Sequence, residues 1–96
     1  MFYEWDAQKT TDNERKHGVS LNEAQAVFLD PLAETFDDPD HSTDERRFIT
    51  IGVSSRQRLL FVAHADRGED RIRIISARLA TRGEIHAYQE RNHSQD

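Results

Sequence analysis

The chain has 96 residues, no cysteine and a formal net charge of −5 at pH 7. This length predicts one small domain over residues 1–96, and the lack of cysteine excludes disulfides, thiolate metal sites and thiol nucleophiles. No apolar run reaches the ~18 residues of a membrane span, and the N-terminal MFYEWD lacks the basic flank of a signal peptide. We therefore expect a cytoplasmic protein without membrane contact.

The net charge conceals two halves of opposite sign. Residues 1–45 hold 12 acidic and 3 basic side chains, a net of −9, whereas residues 46–96 hold 10 arginines against 6 acids, a net of +4. Because guanidinium groups bind phosphate bidentately, the acidic average does not exclude a nucleic-acid partner. The competing interpretation is that these arginines are solvated or pair with the acidic half.

The first half of the chain predicts a short strand and two helices. FYEW favours an edge strand, Asp6 is suited to cap a helix, and Gly18 is suited to end it. Ser20 and Glu23 form a capping box, in which Ser20 accepts a backbone amide and Glu23 reaches back to the cap. The second helix ends at Asp30-Pro31. Its predicted core stripe consists of Leu21, Ala24, Val27 and Phe28.

The second half changes to a period of two, which predicts strands. A short strand at residues 32–36 and a polar turn at 37–45 precede three antiparallel strands that form a meander. In the last of these, IRIISA, Ile72 and Ile74 lie on one face, and Arg71 and Arg73 lie on the other. Thr81-Arg-Gly-Glu84 is a second capping box that opens a terminal helix, and residues 92–96 are expected to fray.

This order of elements predicts an α+β fold with two layers, in which the N-terminal helices and a C-terminal helix pack against an antiparallel sheet. The first helix carries a polar face instead of an apolar one. That face consists of Lys9, Asn13, Lys16 and His17. It either contacts a ligand or is a solvated surface of a helix that is held by its ends.

The five histidines are scattered, and no pair has the short ligand spacing of a zinc motif, so we predict no metal site. His41 and Glu45 share the polar turn and are candidates for an acid-base pair, although such turns are commonly just solvated. Nine arginines between Arg46 and Arg82 are expected to surround one sheet surface. If that surface binds RNA, a base can activate the ribose 2′-hydroxyl while arginines stabilise the phosphorane, without a cofactor.

The chain as a whole resembles the BrnT family. The motifs that carry the resemblance are the EWD opening, Lys9 and Asn13 before KHGVS, DP after the second helix, IG followed by S and RLL, and IRIISAR followed by E and Y. The resemblance implies a RelE-like fold and a ribonuclease toxin of a type II toxin-antitoxin system. It also implies a complex with a BrnA-like antitoxin, whose ribbon-helix-helix domain binds the operator DNA.

Combining the resemblance with the residue patterns gives two sets of candidate residues. The candidate catalytic residues are His17, His41, Glu45, Arg67, Arg73 and Arg78. The candidate substrate-binding residues are Lys9, Asn13, Lys16, Arg46, Arg58 and Tyr88. Of the first set, His17 or His41 is expected to carry protons, and the three arginines to contact the phosphate. The alternative hypothesis is a non-catalytic module that binds a protein in a regulatory complex.

Overall fold

The computed structural model describes residues 1–42, 45–68 and 70–93. The strands are β1 (Phe2–Glu4), β2 (Glu34–Asp37), β3 (Arg47–Val53), β4 (Leu59–Asp66) and β5 (Arg71–Leu79). The helices are α1 (Ala7–His17), α2 (Leu21–Ala24) and α3 (Arg82–His93), with 3-10 segments at Gln25–Leu29 and Pro39–His41. The predicted α+β class is confirmed. None of the helices in these residues is long and apolar enough to cross a membrane.

The five strands form one sheet in the order β1-β5-β4-β3-β2. The predicted antiparallel meander of β3, β4 and β5 is confirmed. β2 pairs antiparallel with β3, whereas β1 pairs parallel with the start of β5, so the sheet is mixed. The early strand β1 thus lies at one edge of the sheet, and β2 lies at the other.

The ends of α1 follow the capping prediction. The Asp6 carboxylate accepts the backbone amides of Gln8 at 2.8 Å and Lys9 at 3.1 Å. Gly18 ends the helix in the left-handed conformation, at φ 71°, which glycine adopts without a Cβ clash. Because α1 has no apolar stripe, its main anchor is Asn13. The Asn13 amide donates to the carbonyls of Val19 and Ala77, and its oxygen accepts the Ala77 amide.

The capping box at Ser20 is only half formed. Ser20 Oγ accepts the Glu23 amide at 3.0 Å as predicted, but the prediction that Glu23 returns to the cap is wrong. Its buried carboxylate instead binds the guanidinium of Arg58 and the hydroxyl of Ser54. An ion pair in a buried position outcompetes one more cap hydrogen bond.

The second helix is α-helical only to Ala24 and continues as a 3-10 helix to Leu29. This segment lies close to the sheet at Gly52, where a Cβ would lie 3.0 Å from Val27 Cγ1. Glycine at this position therefore permits the close approach of helix and sheet. The predicted stripe is buried, because Leu21, Ala24 and Val27 are 0% exposed and Phe28 packs against the core.

The core lies between the N-terminal helices and one face of the sheet. Leu60 and Val62 of β4 and Ile74 and Ala77 of β5 pack there against the helix stripe. Ile72 is partly buried beside them.

The C-terminal helix begins with a complete capping box. Thr81 Oγ1 accepts the Glu84 amide at 3.2 Å, and the Thr81 amide donates to the Glu84 carboxylate at 2.8 Å. The helix continues to His93, while residues 94–96 of the tail that was expected to fray lie outside the described residues.

A β-bulge in β5 determines which side chains share a sheet face. Ser76 lies opposite Ala63, but Ile74 lies opposite His64, so Ile75 is one residue in excess. In a regular strand, the spacing of five between Arg73 and Arg78 would place them on opposite faces. The bulge restores them to the same face, away from the core.

Candidate active site

A cleft of about 240 Å³ lies where the end of α1 and the Pro39–His41 turn meet the three central strands. Two imidazoles and two guanidinium groups, those of His17, His41, Arg47 and Arg78, line it. The remaining lining residues are Asp38, Ile49, Phe61, Ala63, Ile75, Ser76 and Ala77. The structure therefore brings together both predicted histidines and one of the predicted catalytic arginines.

Cross-strand register explains the floor of the cleft. Residues that lie opposite each other on neighbouring strands share a face, and here they form three rows. The rows are Ile51-Phe61-Arg78, Ile49-Ala63-Ser76 and Arg47-Ala65-Arg73. The middle row contains two small side chains between rows that end in arginine. The depression thus results from Ala63 and Ser76, and the guanidinium groups stand at its sides.

Within the cleft, His41 is hydrogen-bonded to Asp38. His41 Nδ1 lies 3.0 and 3.1 Å from the two carboxylate oxygens of Asp38. The Asp38 side chain is only 17% exposed, whereas that of His41 is 68% exposed. A carboxylate beside Nδ1 favours the tautomer with the proton on Nδ1, which leaves Nε2 able to accept a proton. The sequence had suggested Glu45 as the acid partner of His41, but the structure places Asp38 there instead.

Arg78 is held on the opposite side of the floor. It forms a bidentate pair with Glu84, at 2.8 and 3.0 Å, and its guanidinium lies 4.2 Å from the ring centroid of Phe61. The pairing with Arg78 lowers the pKa of Glu84 to about 2 and raises that of Arg78. Arg78 therefore stays cationic and has a fixed position.

A second depression adjoins the cleft along α1. Lys9, Asp12, Asn13, Lys16 and His17 line it together with Ile75 and Ser76. The polar face predicted for the first helix therefore does border a surface cavity, and His17 belongs to both cavities. Asn13 differs from the other predicted residues of this face in being buried. It is only 7% exposed, and its side-chain amide donates to the backbone carbonyls of Val19 and Ala77.

Glu45, Arg67 and Arg73 form a separate cluster at the end of the sheet. The Glu45 carboxylate contacts Arg73 and lies 3.3 Å from Arg67, which also approaches Glu4 at 3.5 Å. Arg73 belongs to the same row as Arg47, which lines the cleft. The predicted catalytic residues thus divide into a cleft group and a neighbouring ion-pair cluster.

The other three predicted substrate-binding residues lie elsewhere. Arg46 pairs with Asp37 at 2.9 Å on an exposed surface. Arg58 binds the buried carboxylate of Glu23 and the carbonyl of Gly18. Tyr88 is 8% exposed and donates to Asp30 at 2.8 Å, and burial together with that carboxylate raises its pKa to about 12. Arg58 and Tyr88 are therefore used in holding the fold together.

The candidate set from the sequence omitted three polar residues of the cleft, namely Asp38, Arg47 and Ser76. Arg47 and Ile49 are two residues apart in β3, so the period of two places the Arg47 side chain on the same face as that of Ile49. Asp38 gave no signal, because the acid-rich turn at 37–45 offers several carboxylates at similar distances in sequence. Ser76 reaches the cleft only through the bulge at Ile75. In the described part of the chain, no group of three or more histidines and carboxylates is arranged to hold a metal ion.

The fold and the sequence of the chain are both similar to those of known proteins. A crystal structure at 1.1 Å of the ribonuclease toxin BrnT from Brucella abortus superposes with a TM-score of 0.67. It is 24% identical, and the alignment covers 85% of this chain and 100% of that one, so this similarity concerns the fold. No curated protein sequence gives a significant match. Residues 5–84 match the family described as "Ribonuclease toxin, BrnT, of type II toxin-antitoxin system". The chain therefore belongs to the BrnT family of ribonuclease toxins.

Proposed function

We propose that the cleft between α1, the Pro39–His41 turn and the sheet is the site at which this toxin cleaves RNA, without a metal ion. The observation that carries the proposal is the Asp38-His41 pair beside His17, with Arg47 and Arg78 in the same cleft. Two imidazoles can serve as general base and general acid, and two guanidinium groups can stabilise the charge that develops on the phosphorane.

In the proposed reaction, His41 Nε2 removes the proton of the ribose 2′-hydroxyl, and the 2′-oxygen attacks the adjacent phosphorus. The bond from phosphorus to the 5′-oxygen then breaks, and His17 donates a proton to that leaving oxygen. The products are a 2′,3′-cyclic phosphate and a 5′-hydroxyl, so no water is consumed in this step. Asp38 acts as a positioning residue that stabilises the protonated His41.

Arg47 and Arg78 have complementary parts in this proposal. Arg78 is fixed by Glu84 and Phe61, so it suits a preorganised contact to the phosphorane oxygens. Arg47 makes no ion pair within the described residues, and its Nε is buried without a hydrogen-bond partner. A buried donor without a partner gains more from an incoming phosphate oxygen than a solvated one does.

The depression along α1 supplies a path for the RNA strand in this proposal. Lys9 and Lys16 line it and lead to His17. Lysine contacts to phosphate position a strand without reading its sequence. Asn13 stabilises this surface from below instead of contacting RNA.

The family is one of type II toxin-antitoxin systems, so an antitoxin is the protein partner. We infer further that it is a BrnA-like protein that joins the toxin in a hetero-oligomer in the cytoplasm. Its ribbon-helix-helix domain would carry the complex to operator DNA, which the toxin itself does not contact.

Growth on induction of the toxin tests the proposed function. Expression of the chain alone is expected to arrest growth, and co-expression of the product of the adjacent gene should restore it. His41→Ala and Arg47→Ala should each abolish the arrest, whereas Arg56→Ala, a matched change in the β3-β4 turn, should leave it intact. Growth that continues with the unmodified chain, at verified expression of folded protein, would contradict the proposal.

A further inference from the structure

The row Arg47-Ala65-Arg73 lies beside the floor of the cleft. Arg47 and Arg73 lie on either side of Ala65 in register. Ala65 is 0% exposed despite its small side chain, so its neighbours cover it. Successive rows on one face of a sheet are separated by two residues, roughly 6–7 Å. This arrangement is therefore one row away from the Ala63-Ser76 floor of the cleft.

The Glu45 carboxylate joins Arg73 of this row to Arg67, which directly follows β4. One of its oxygens contacts Arg73 and the other lies 3.3 Å from Arg67. A single anion thus bridges two guanidinium groups, one oxygen to each. The two non-bridging oxygens of a phosphodiester have the same charge and can make the same pair of contacts.

The cluster also retains unused capacity to donate hydrogen bonds. Arg73 Nε is buried and has no hydrogen-bond partner within the described residues, although Arg73 pairs with Glu45. The Arg67 side chain is 50% exposed, so an incoming ligand can reach it. The Glu45 carboxylate therefore leaves Arg73 Nε unsatisfied, and a phosphodiester oxygen beside Arg73 can accept a hydrogen bond from it.

We infer that Arg67 and Arg73 form a second phosphodiester-binding site, adjacent to the cleft, which the Glu45 carboxylate fills until RNA displaces it. This inference rests on the proposed function, because it assigns the site to a phosphate next to the cleaved one. Glu45 then acts as an internal competitor that weakens RNA binding, instead of as a catalytic acid or base. It also compensates part of the positive charge of Arg67 and Arg73 in the unoccupied toxin.

Binding of a short single-stranded 2′-O-methyl RNA to the full chain tests this inference, by fluorescence anisotropy over a range of salt concentrations. This RNA lacks the hydroxyl that attacks, so binding is measured without cleavage. Glu45→Gln is expected to bind it roughly two- to fivefold more tightly than the unmodified chain. Glu34→Gln is the matched control, because Glu34 pairs with Arg91 and reports the effect of one lost negative charge in general.

The arginine variants provide the second arm of the experiment. Arg73→Gln should reduce the slope of log affinity against log salt by about 0.7, the value for one lost phosphate contact on a single strand. Arg67→Gln, at the more exposed member of the pair, should act in the same direction and covers the case in which Arg73→Gln does not fold. In the double variant of Arg73→Gln with Glu45→Gln, most of the gain from Glu45→Gln should disappear.

The inference is overturned if Glu45→Gln binds no more tightly than Glu34→Gln, or if neither arginine variant changes the salt slope. Cleavage of ordinary RNA by the same proteins separates this failure from that of the proposed function. A chain that cleaves RNA through His41 but shows no effect of Glu45 would retain the active site and lose the second phosphate site. A chain that binds as expected but does not cleave would contradict the proposed function alone.

Discussion

At the scale of single residues, the contact between Asp38 and His41 determines which imidazole nitrogen is available in the cleft. Asp38 lies mostly buried beneath the exposed imidazole, immediately before the 3-10 turn Pro39–His41. Because proline restricts its own φ, this turn holds His41 more firmly than a flexible loop would. The proposed function therefore assigns the polar turn a catalytic role that its composition alone does not predict.

Replacing Asp38 tests its positioning role. Asp38→Asn retains the size of the side chain but removes the charge that stabilises a protonated His41. We expect kcat for RNA cleavage to fall roughly tenfold or more with KM nearly unchanged, because the loss concerns the transition state and not substrate binding. Asp38→Glu should recover part of the lost rate. A rise in KM at constant kcat would show that Asp38 contributes to binding instead.

His64 illustrates a buried histidine with a structural role. It is 4% exposed, its Nε2 lies 2.7 Å from Thr50 Oγ1, and its ring packs between Phe28 and Phe48. Burial lowers its pKa, against a smaller opposing effect of the Asp66 carboxylate. His64 Nδ1 has no hydrogen-bond partner within the described residues. The neutral imidazole is therefore the form that the fold tolerates.

The lowered pKa of His64 predicts loss of stability in acid. The unfolded histidine takes up a proton near pH 6.5, and the folded one does so only at lower pH, so the stabilisation is complete above pH 6.5 and declines below it. The decline should approach but not exceed about 1.4 kcal/mol per pH unit for one proton. Urea unfolding between pH 7.5 and pH 5 measures it.

His64→Gln supplies the comparison for this titration. It removes the titrating group and retains polar atoms, so its free energy of unfolding should fall less between the two pH values. His86→Gln, at a histidine whose side chain is 72% exposed, should keep the full pH dependence. Equal pH dependence in the unmodified chain and in His64→Gln would refute the assignment.

At the scale of elements, α1 is attached to the sheet by a polar contact instead of an apolar face. β1 pairs with β5 only at residues 71–73, and Asn13 then provides both a donor and an acceptor to the backbone of Ala77 farther along that strand. The Asn13 side chain thus hydrogen-bonds to the backbone amide and carbonyl of Ala77 at a strand edge, where these groups would otherwise lack partners. This contact positions His17, one helical turn later, at the cleft.

Asn13→Ala is expected to destabilise the protein by about 2–3 kcal/mol, because the buried carbonyls of Val19 and Ala77 and the Ala77 amide lose their partners. Urea denaturation gives the free energy of unfolding. Gln8→Ala, at an exposed position of the same helix where the side chain binds only Asp12, should change it by less than ~0.5 kcal/mol. Equal effects of the two substitutions would mean that α1 is held by other contacts.

The strands and caps were largely predictable from the sequence, whereas the bulge was not. Alternation identified Ile72 and Ile74 as core and placed Arg73 away from it, since that rule depends only on neighbouring residues. The bulge at Ile75 arises from the pairing of β5 with β4, and the sequence of one strand does not indicate the register of its partner. The capping box at Thr81 was predicted completely, because it involves only residues that are close in sequence. The capping box at Ser20 was predicted only in part, because Glu23 binds Arg58, 35 residues away in the chain.

At the scale of the whole molecule, the arginines of the basic second half are not simply a solvated positive surface. Several arginines of the basic half pair with carboxylates, as Arg58 does with Glu23 and Arg78 with Glu84. These pairs hold the arginines in defined orientations. The candidate site was only partly predictable, because residue type identifies cations but not their acid partners.

The most direct test of the account is cleavage of RNA by the purified chain in the presence of EDTA, with analysis of the new ends. The account predicts cleavage at an undiminished rate, fragments with 2′,3′-cyclic phosphate and 5′-hydroxyl ends, and loss of cleavage in His41→Ala but not in Arg56→Ala. Fragments with 5′-phosphate ends, cleavage that EDTA abolishes, or full activity of His41→Ala would contradict it.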